Sequence, residues 1–333
     1  MTAEKIIADL KKKNFKPVYW LEGEEDFFID EIIDFASANI LSESEASFNL
    51  TTFYGKDTEW AMLFNTCRKY PMFSEKQVVI VKEAQDMRGI ERLESYVEKP
   101  LASTILFIAY KGKKVDGRTK LAKLLKENSV LLTTKKLYDS QLPEWTANLV
   151  KEKGMTISNK ALQLLIDHIG NDLNRLNNEI DKLALNLGKS NAITEDAIEK
   201  YVGISKEFNV YELQNAIAYR DFYKAIRIVN YFEANPKAAP LQLIFPSLYG
   251  FFSKALLVFT AAGRDEKSVA AALGVSSFFV RDYMQAANRY GQQGIEKLLL
   301  LLHMYNLKSL GIDDAGTDDM SLLKEMLAKI MHD

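Results

Sequence analysis

Gln77-Val78-Val79-Ile80-Val81 is the segment that most restricts how this chain can fold. It is rich in β-branched residues and shows no apolar–polar alternation, so a strand made from it must be buried on both faces. Ser103-Thr104-Ile105-Leu106-Phe107-Ile108-Ala109 repeats that pattern. Two doubly buried strands imply a parallel sheet with helices on each side. The flanking sequence supplies both kinds of element. Pro17-Val18-Tyr19-Trp20-Leu21, Leu50 to Tyr54 and Val130-Leu131-Leu132-Thr133-Thr134 read as further strands. Phe27 to Ile40, Thr58 to Tyr70 and Thr119 to Asn128 carry helical spacing. In the second of these helices Trp60, Leu63, Phe64 and Cys67 fall at i, i+3, i+4 and i+7. Asp57 or Thr58 can cap its start, and Pro71 ends it.

From about Ser140 the pattern turns helical. Leu173, Leu176, Ile180, Leu183 and Leu187 form one apolar stripe. A small helical domain runs to about Ile204, and Lys206 to Asn209 is a polar junction. Helical segments then follow at Val210 to Arg220, Phe222 to Glu233, Pro240 to Gly263, Ser276 to Tyr290, Gly294 to Leu310 and Ser321 to His332. The expected fold class is α/β plus α, with an α/β domain at 1–138, a small helical domain at 139–205 and an all-helical domain at 206–333. A length of 333 residues suits two or three such domains.

Composition removes several classes of function. The formal net charge is -2, so no global basic field draws the chain onto nucleic acid. A lone cysteine, Cys67, rules out an internal disulfide or a thiolate metal cluster and fits a reducing cytoplasm. Met1 to Phe15 has no signal-peptide core. Leu241 to Ala262 is interrupted by Pro246, Gly250, Ser253 and Lys254, short of the roughly 18 unbroken apolar residues of a membrane span, and reads as a buried helix. A soluble cytoplasmic protein without a membrane partner is expected.

A parallel sheet invites a nucleotide at the carboxyl ends of its strands. A phosphate loop needs glycines that free backbone N–H groups, a lysine for the phosphates and a hydroxyl for Mg²⁺. The loop after the first strand reads Glu22-Gly23-Glu24-Glu25-Asp26. It has one glycine, no Lys-Ser/Thr pair and four carboxylates that would repel a triphosphate. Gly188-Lys189-Ser190 matches the end of the motif, but Leu183 stands where its first glycine belongs, and Gly188 reads as a left-handed helix cap. No cofactor is expected. His168, His303 and His332 have no metal-ligand spacing, no serine sits in a nucleophile elbow, and Cys67 lies on an inward helix stripe. No catalytic or metal residue emerges.

Four segments in register resemble the δ subunit family of the bacterial DNA polymerase III clamp loader. Pro17 to Glu25 is similar to the family's strand and degenerate loop, and Pro71-Met72-Phe73-Ser74-Glu75-Lys76-Gln77-Val78-Val79-Ile80-Val81 to its clamp-binding turn and next strand. Gly170-Asn171-Asp172-Leu173 with Asn178 to Leu183 resembles its middle-domain signature, and Val210-Tyr211-Glu212-Leu213 with Ala216-Ile217 the start of its third domain. The resemblance implies a degenerate AAA+-like module, with its sheet domain and small helical lid, followed by a helical collar domain. It implies no ATP hydrolysis by this chain, although the family serves a nucleotidyltransferase holoenzyme. The implied partners are the β sliding clamp, the loader's ATPase subunits and δ′ in a hetero-pentamer, and primed DNA within the assembled loader.

The same resemblance implies that Met72 and Phe73, after Pro71, enter a pocket on the clamp. An aromatic ring and a flexible thioether suit such a role, and Pro71 restricts the turn that presents them. Trp60, Leu63 and Phe64 are expected to hold the preceding helix to its own domain. Two other readings compete. One is an active AAA+ ATPase. The other is a DNA-binding regulator, since Val269-Ala270-Ala271-Ala272-Leu273-Gly274-Val275-Ser276-Ser277-Phe278-Phe279-Val280 resembles a helix-turn-helix. Two phenylalanines on its second helix favour packing over base readout. Lys111, Lys113, Lys114, Arg118, Lys120 and Lys123 form a basic run that reads as a solvated face.

Overall fold

A computed structural model describes the chain except at residues 189, 206, 237–239, 264, 276, 315 and 333, and the side chains at 139, 278, 331 and 332. Lys189, Lys206, Ser276 and Asp333, and the side chains of Phe278 and His332, named above, lie outside the described residues. The chain divides into two compact units, 1–137 and 138–333.

In the first unit β1 (Val18–Gly23), β2 (Leu50–Tyr54), β3 (Gln77–Lys82), β4 (Thr104–Lys111) and β5 (Val130–Thr134) form one sheet. The order is β2-β3-β4-β1-β5, and each pairing is parallel. Register explains the unbroken apolar runs. Val79, Leu106 and Val18 align across three strands and face one core, whereas Ile80, Phe107 and Tyr19 align one residue on and face the other. Tyr19 and Phe107 stack at 4.5 Å.

Helices α1 (Ala3–Lys11) and α2 (Asp26–Asn39) cover one face, through Ile6 and Leu10 and through Ile29, Ile32 and Ile33. Helix α3 (Glu43–Asn49) leads into β2. Helices α4 (Trp60–Cys67), α5 (Glu94–Glu98) and α6 (Lys120–Asn128) contribute Leu63, Cys67, Tyr96, Val97, Leu121 and Leu125 to the other core. Sequence pattern missed α1, α3 and α5. Of these, α3 has a legible start: Ser42 and Glu45 form a reciprocal capping box.

The expected ends of α4 need correction. Its N-cap is Glu59, without a side-chain cap, rather than Asp57 or Thr58. It stops at Cys67, well before Pro71, because buried donors from elsewhere take its last carbonyls. Thr104 Oγ1 donates to the Cys67 carbonyl at 2.8 Å, and Gln77 Nε2 donates to the Thr66 carbonyl at 3.3 Å and, just beyond the helix, to the Lys69 carbonyl at 2.5 Å. Gln77 also donates to Thr104 Oγ1 at 2.7 Å, which joins β3, β4 and the helix end in one buried chain.

The second unit is helical apart from a two-residue parallel pair, β6 (Thr156–Ile157) with β7 (Ala192–Ile193). Its helices are α7 (Leu142–Glu152), α8 (Asn159–Ile169), α9 (Leu173–Leu187), α10 (Glu195–Tyr201), α11 (Val210–Ala218), α12 (Phe222–Ala234), α13 (Leu241–Leu257), α14 (Glu266–Leu273), α15 (Ser277–Ser309) and α16 (Asp319–His332). The expected break within α15 is present as a kink at Gly291 (φ 64, ψ 171). On α9, Leu173, Leu176, Ile180 and Leu183 are buried. Gly188 follows with φ 56 and ψ -114, a glycine-specific conformation outside the left-handed helical region expected of it.

Leu241–Thr260 is long and apolar enough to cross a membrane, with mean hydropathy 1.5. Within α13, however, Ile244, Phe245, Leu248, Phe251 and Phe252 are buried in the core of this unit, as in the central helix of a globular bundle. The helix-turn-helix segment is also a packing unit. Gly274 turns in the left-handed region (φ 62, ψ 36), and Val269, Leu273 and Val280 form a small core of their own. Phe279 is buried.

Candidate protein-interaction site

The crevice at the carboxyl end of β1 is closed by the chain's own groups. Glu22 is buried, and its Oε2 accepts from Trp20 Nε1 (3.1 Å) and from the Val115 amide (3.0 Å). Its Oε1 accepts from Thr133 Oγ1 at 3.2 Å. Glu25, also buried, caps α2 by accepting from the Phe27 amide at 3.3 Å. A carboxylate of the protein therefore occupies the helix N-terminus at which a phosphate would bind. This corrects the picture of four open carboxylates, because Glu22 and Glu25 are internal structural groups. Burial also raises the Asp26 carboxyl above its ordinary range.

Gly23 has a different purpose from a phosphate-loop glycine. Its φ is +131, and a Cβ there would stand 2.2 Å from the Thr134 carbonyl oxygen and 2.6 Å from the Thr134 amide nitrogen. The glycine lets β5 pass directly against β1.

Other candidate chemistry is also taken up internally. Lys111 pairs with Asp30 (2.7 Å) and Glu83 (3.2 Å), Arg118 with Asp116, and Lys120 with Glu94 and Glu98. Burial pushes the Cys67 thiol up to about 12, so it is a packed side chain and no nucleophile at neutral pH. Burial lowers His168. Among the described residues no group of three or more His, Cys, Asp or Glu side chains is placed to hold a metal ion.

The turn between α4 and β3 is the reverse case, where apolar groups point outward. Met72 is 54% exposed and Phe73 92% exposed, and Phe73 adopts φ 55. A non-glycine residue there carries roughly 1–2 kcal/mol of backbone strain. A large apolar side chain both strained and in solvent is not held by its own core. Behind it, Leu63 is fully buried, and Trp60 and Phe64 pack edge-on at 6.3 Å with Phe64 against Tyr96 at 6.1 Å. Pro71 is partly buried.

Helix α3, absent from the sequence reading, fixes this turn. The buried Asn49 side chain accepts from the Met72 amide (2.7 Å) and donates to the Met72 carbonyl (2.8 Å), as a neighbouring strand would. Ser74 Oγ donates to Glu45 at 2.7 Å. Hydrogen bonds from Ser42 and Ser74 hold the Glu45 carboxyl at about 2, below its usual 4.5. Its contribution is complete above the usual value and is lost as pH falls from there toward 2. Beside Asn49, Phe48 is exposed, with its ring edge-on to Phe73 at a centroid distance of 6.5 Å. The capping box signals that α3 exists, but no local signal links Asn49 to Met72.

Comparison with known proteins shows what the chain is similar to. The family model for DNA polymerase III, delta subunit, matches residues 19–135. The DNA polymerase III subunit delta of Bacillus subtilis (strain 168) is 25% identical over 334 residues, covering 96% of this chain and 94% of the relative. The probable DNA polymerase III subunit delta of Aquifex aeolicus (strain VF5) is 22% identical over 227 residues, covering 64% of this chain and 63% of that one. The solved Bacillus subtilis DNA clamp loader delta protein has the same fold, with TM-score 0.54 and 23% identity over 99% of this chain and 100% of that one. The first unit is accordingly a parallel α/β module with the fold of that delta protein, and its own carboxylates fill the crevice at the end of β1. Residues 19–135 match the DNA polymerase III delta subunit family, and over 96% of its length the chain is similar to the Bacillus subtilis subunit delta.

Proposed function

We propose that this chain is the non-hydrolysing subunit of a clamp loader that grips the ring-shaped β sliding clamp through Met72 and Phe73 and helps open it for placement on primed DNA. The observation that carries the reading is the strained, solvent-facing Phe73 beside Met72, on a turn anchored from two sides. Preorganisation of this kind lowers the ordering cost of binding. The closed crevice at Glu22 and Glu25 supports the absence of ATP hydrolysis, so the energy comes from ATPase neighbours. Those neighbours and δ′ join this chain in a pentamer, with 139–205 as the lid and 206–333 as the collar that meets them.

The test is to mix the pure chain with the β clamp of the same source and resolve the mixture by size exclusion. Co-elution without nucleotide is the expected result. Separate elution of two folded proteins contradicts the proposal.

A further inference from the structure

We infer that helix α3 is the second half of the clamp-contacting surface, with Phe48 as a third apolar anchor and Asn49 as the residue that positions the other two. The inference rests on the clamp reading and extends it to residues that are distant from the turn in sequence.

Phe48 is 65% exposed, so no part of the unit's own core requires a phenylalanine there. A single exposed apolar residue needs no explanation. Phe48 is not single. Its ring meets Phe73 edge-on, and Met72 and Tyr70 are exposed beside Phe73 in the chain. These side chains come from two segments locked in one register. Asn49, next to Phe48, makes the two hydrogen bonds to Met72, and its Nδ2 also donates to the Glu45 carbonyl at 3.1 Å. Glu45 in turn holds Ser74 on the far side of Phe73. The turn and the helix thus present the Phe48 and Phe73 rings together, with exposed Met72 next to Phe73 in the chain, on two segments tied by hydrogen bonds. A protein pocket that closes over Phe73 also meets the ring 6.5 Å away. An apolar pocket of the clamp is therefore the occupant of both halves.

Asn49 acts through Met72 and is a positioning residue. Its removal leaves the turn attached at Gln77 and Ser74 but unpaired at the anchor itself.

The experiment measures clamp binding kinetics for the whole chain and for Phe48→Ala, Asn49→Ala, Phe73→Ala, Asn49→Ala with Phe73→Ala, and Met72→Ala with Phe73→Ala. Phe48→Ala is expected to weaken binding about 5- to 30-fold, mostly through faster dissociation. Because its side chain is exposed, this variant does not depend on a change in folding. Asn49→Ala is expected to weaken binding about 5- to 30-fold, and its effect to shrink at least about threefold when Phe73 is already alanine, as coupled residues do. A purely structural Asn49 would cost the same in both backgrounds, which would overturn its positioning role. If the Met72/Phe73 double variant loses binding while Phe48→Ala stays within about twofold of the parent, α3 is excluded from the surface and the clamp reading stands. If the double variant binds normally, the clamp reading itself fails.

Discussion

Changing Met72 and Phe73 together to alanine is expected to abolish capture of the β clamp while leaving the fold intact. Full burial of each side chain is worth roughly 1.5–3 kcal/mol, or about 3–6 kcal/mol for the pair. At about 1.4 kcal/mol per decade, that is on the order of a hundred- to ten-thousand-fold in Kd. Stability should change by less than about 1 kcal/mol, because both side chains are largely in solvent and Phe73 has one aromatic neighbour at its edge. A core phenylalanine would instead cost about 3–5 kcal/mol on truncation. Urea melts and clamp titrations on the same sample separate the two cases. Phe73→Gly sharpens the contrast. It relieves the positive φ and should keep the melting midpoint at or above that of Phe73→Ala while binding stays lost. A large fall in stability with binding retained would make Met72 and Phe73 core residues.

Gly23→Ala is expected to have the largest effect on folding. The new methyl would lie 2.2 Å from the Thr134 carbonyl oxygen, and the backbone would be forced to hold φ +131 with a side chain. Thr134 cannot retreat without breaking the β1–β5 ladder, in which Gly23 and Thr134 are partners. Strain of about 1–3 kcal/mol and overpacking of a similar size give a combined cost of roughly 2–6 kcal/mol. An exposed loop glycine left over from a phosphate site would accept alanine for less than about 1 kcal/mol. Urea denaturation followed by far-UV circular dichroism should show the transition of residues 1–137 shifted sharply down or lost. An unchanged midpoint would refute the close-approach explanation.

The contrast between Gly23 and Phe73 shows what the sequence could reveal. The parallel sheet was legible because both faces of β3 and β4 are buried, which leaves an apolar run without alternation. The lack of a phosphate motif was legible from the loop's composition, and family resemblance singled out Met72 and Phe73, which the structure leaves exposed. The physical reasons for these features were not legible, because they depend on partners far along the chain. Gly23 answers to Thr134, Glu22 to Val115, and the end of α4 to Gln77 and Thr104 rather than to Pro71. The positive φ of Phe73 runs against residue preference and leaves no local signal. Helix α3 is short and exposed, so periodicity is silent there. Ser42-x-x-Glu45 alone marks it, and the side chain that matters, Asn49, reaches across to Met72.

The central claim is that this chain works through the 70–74 turn and not through the crevice at its strand ends. Amide hydrogen exchange of the chain, with and without saturating β clamp, addresses that claim most directly. Protection is expected to concentrate in residues 43–49 and 70–74, with 22–26 and 111–116 unchanged. Protection confined to the crevice segments, or none in 70–74 when the clamp is bound, would contradict the account.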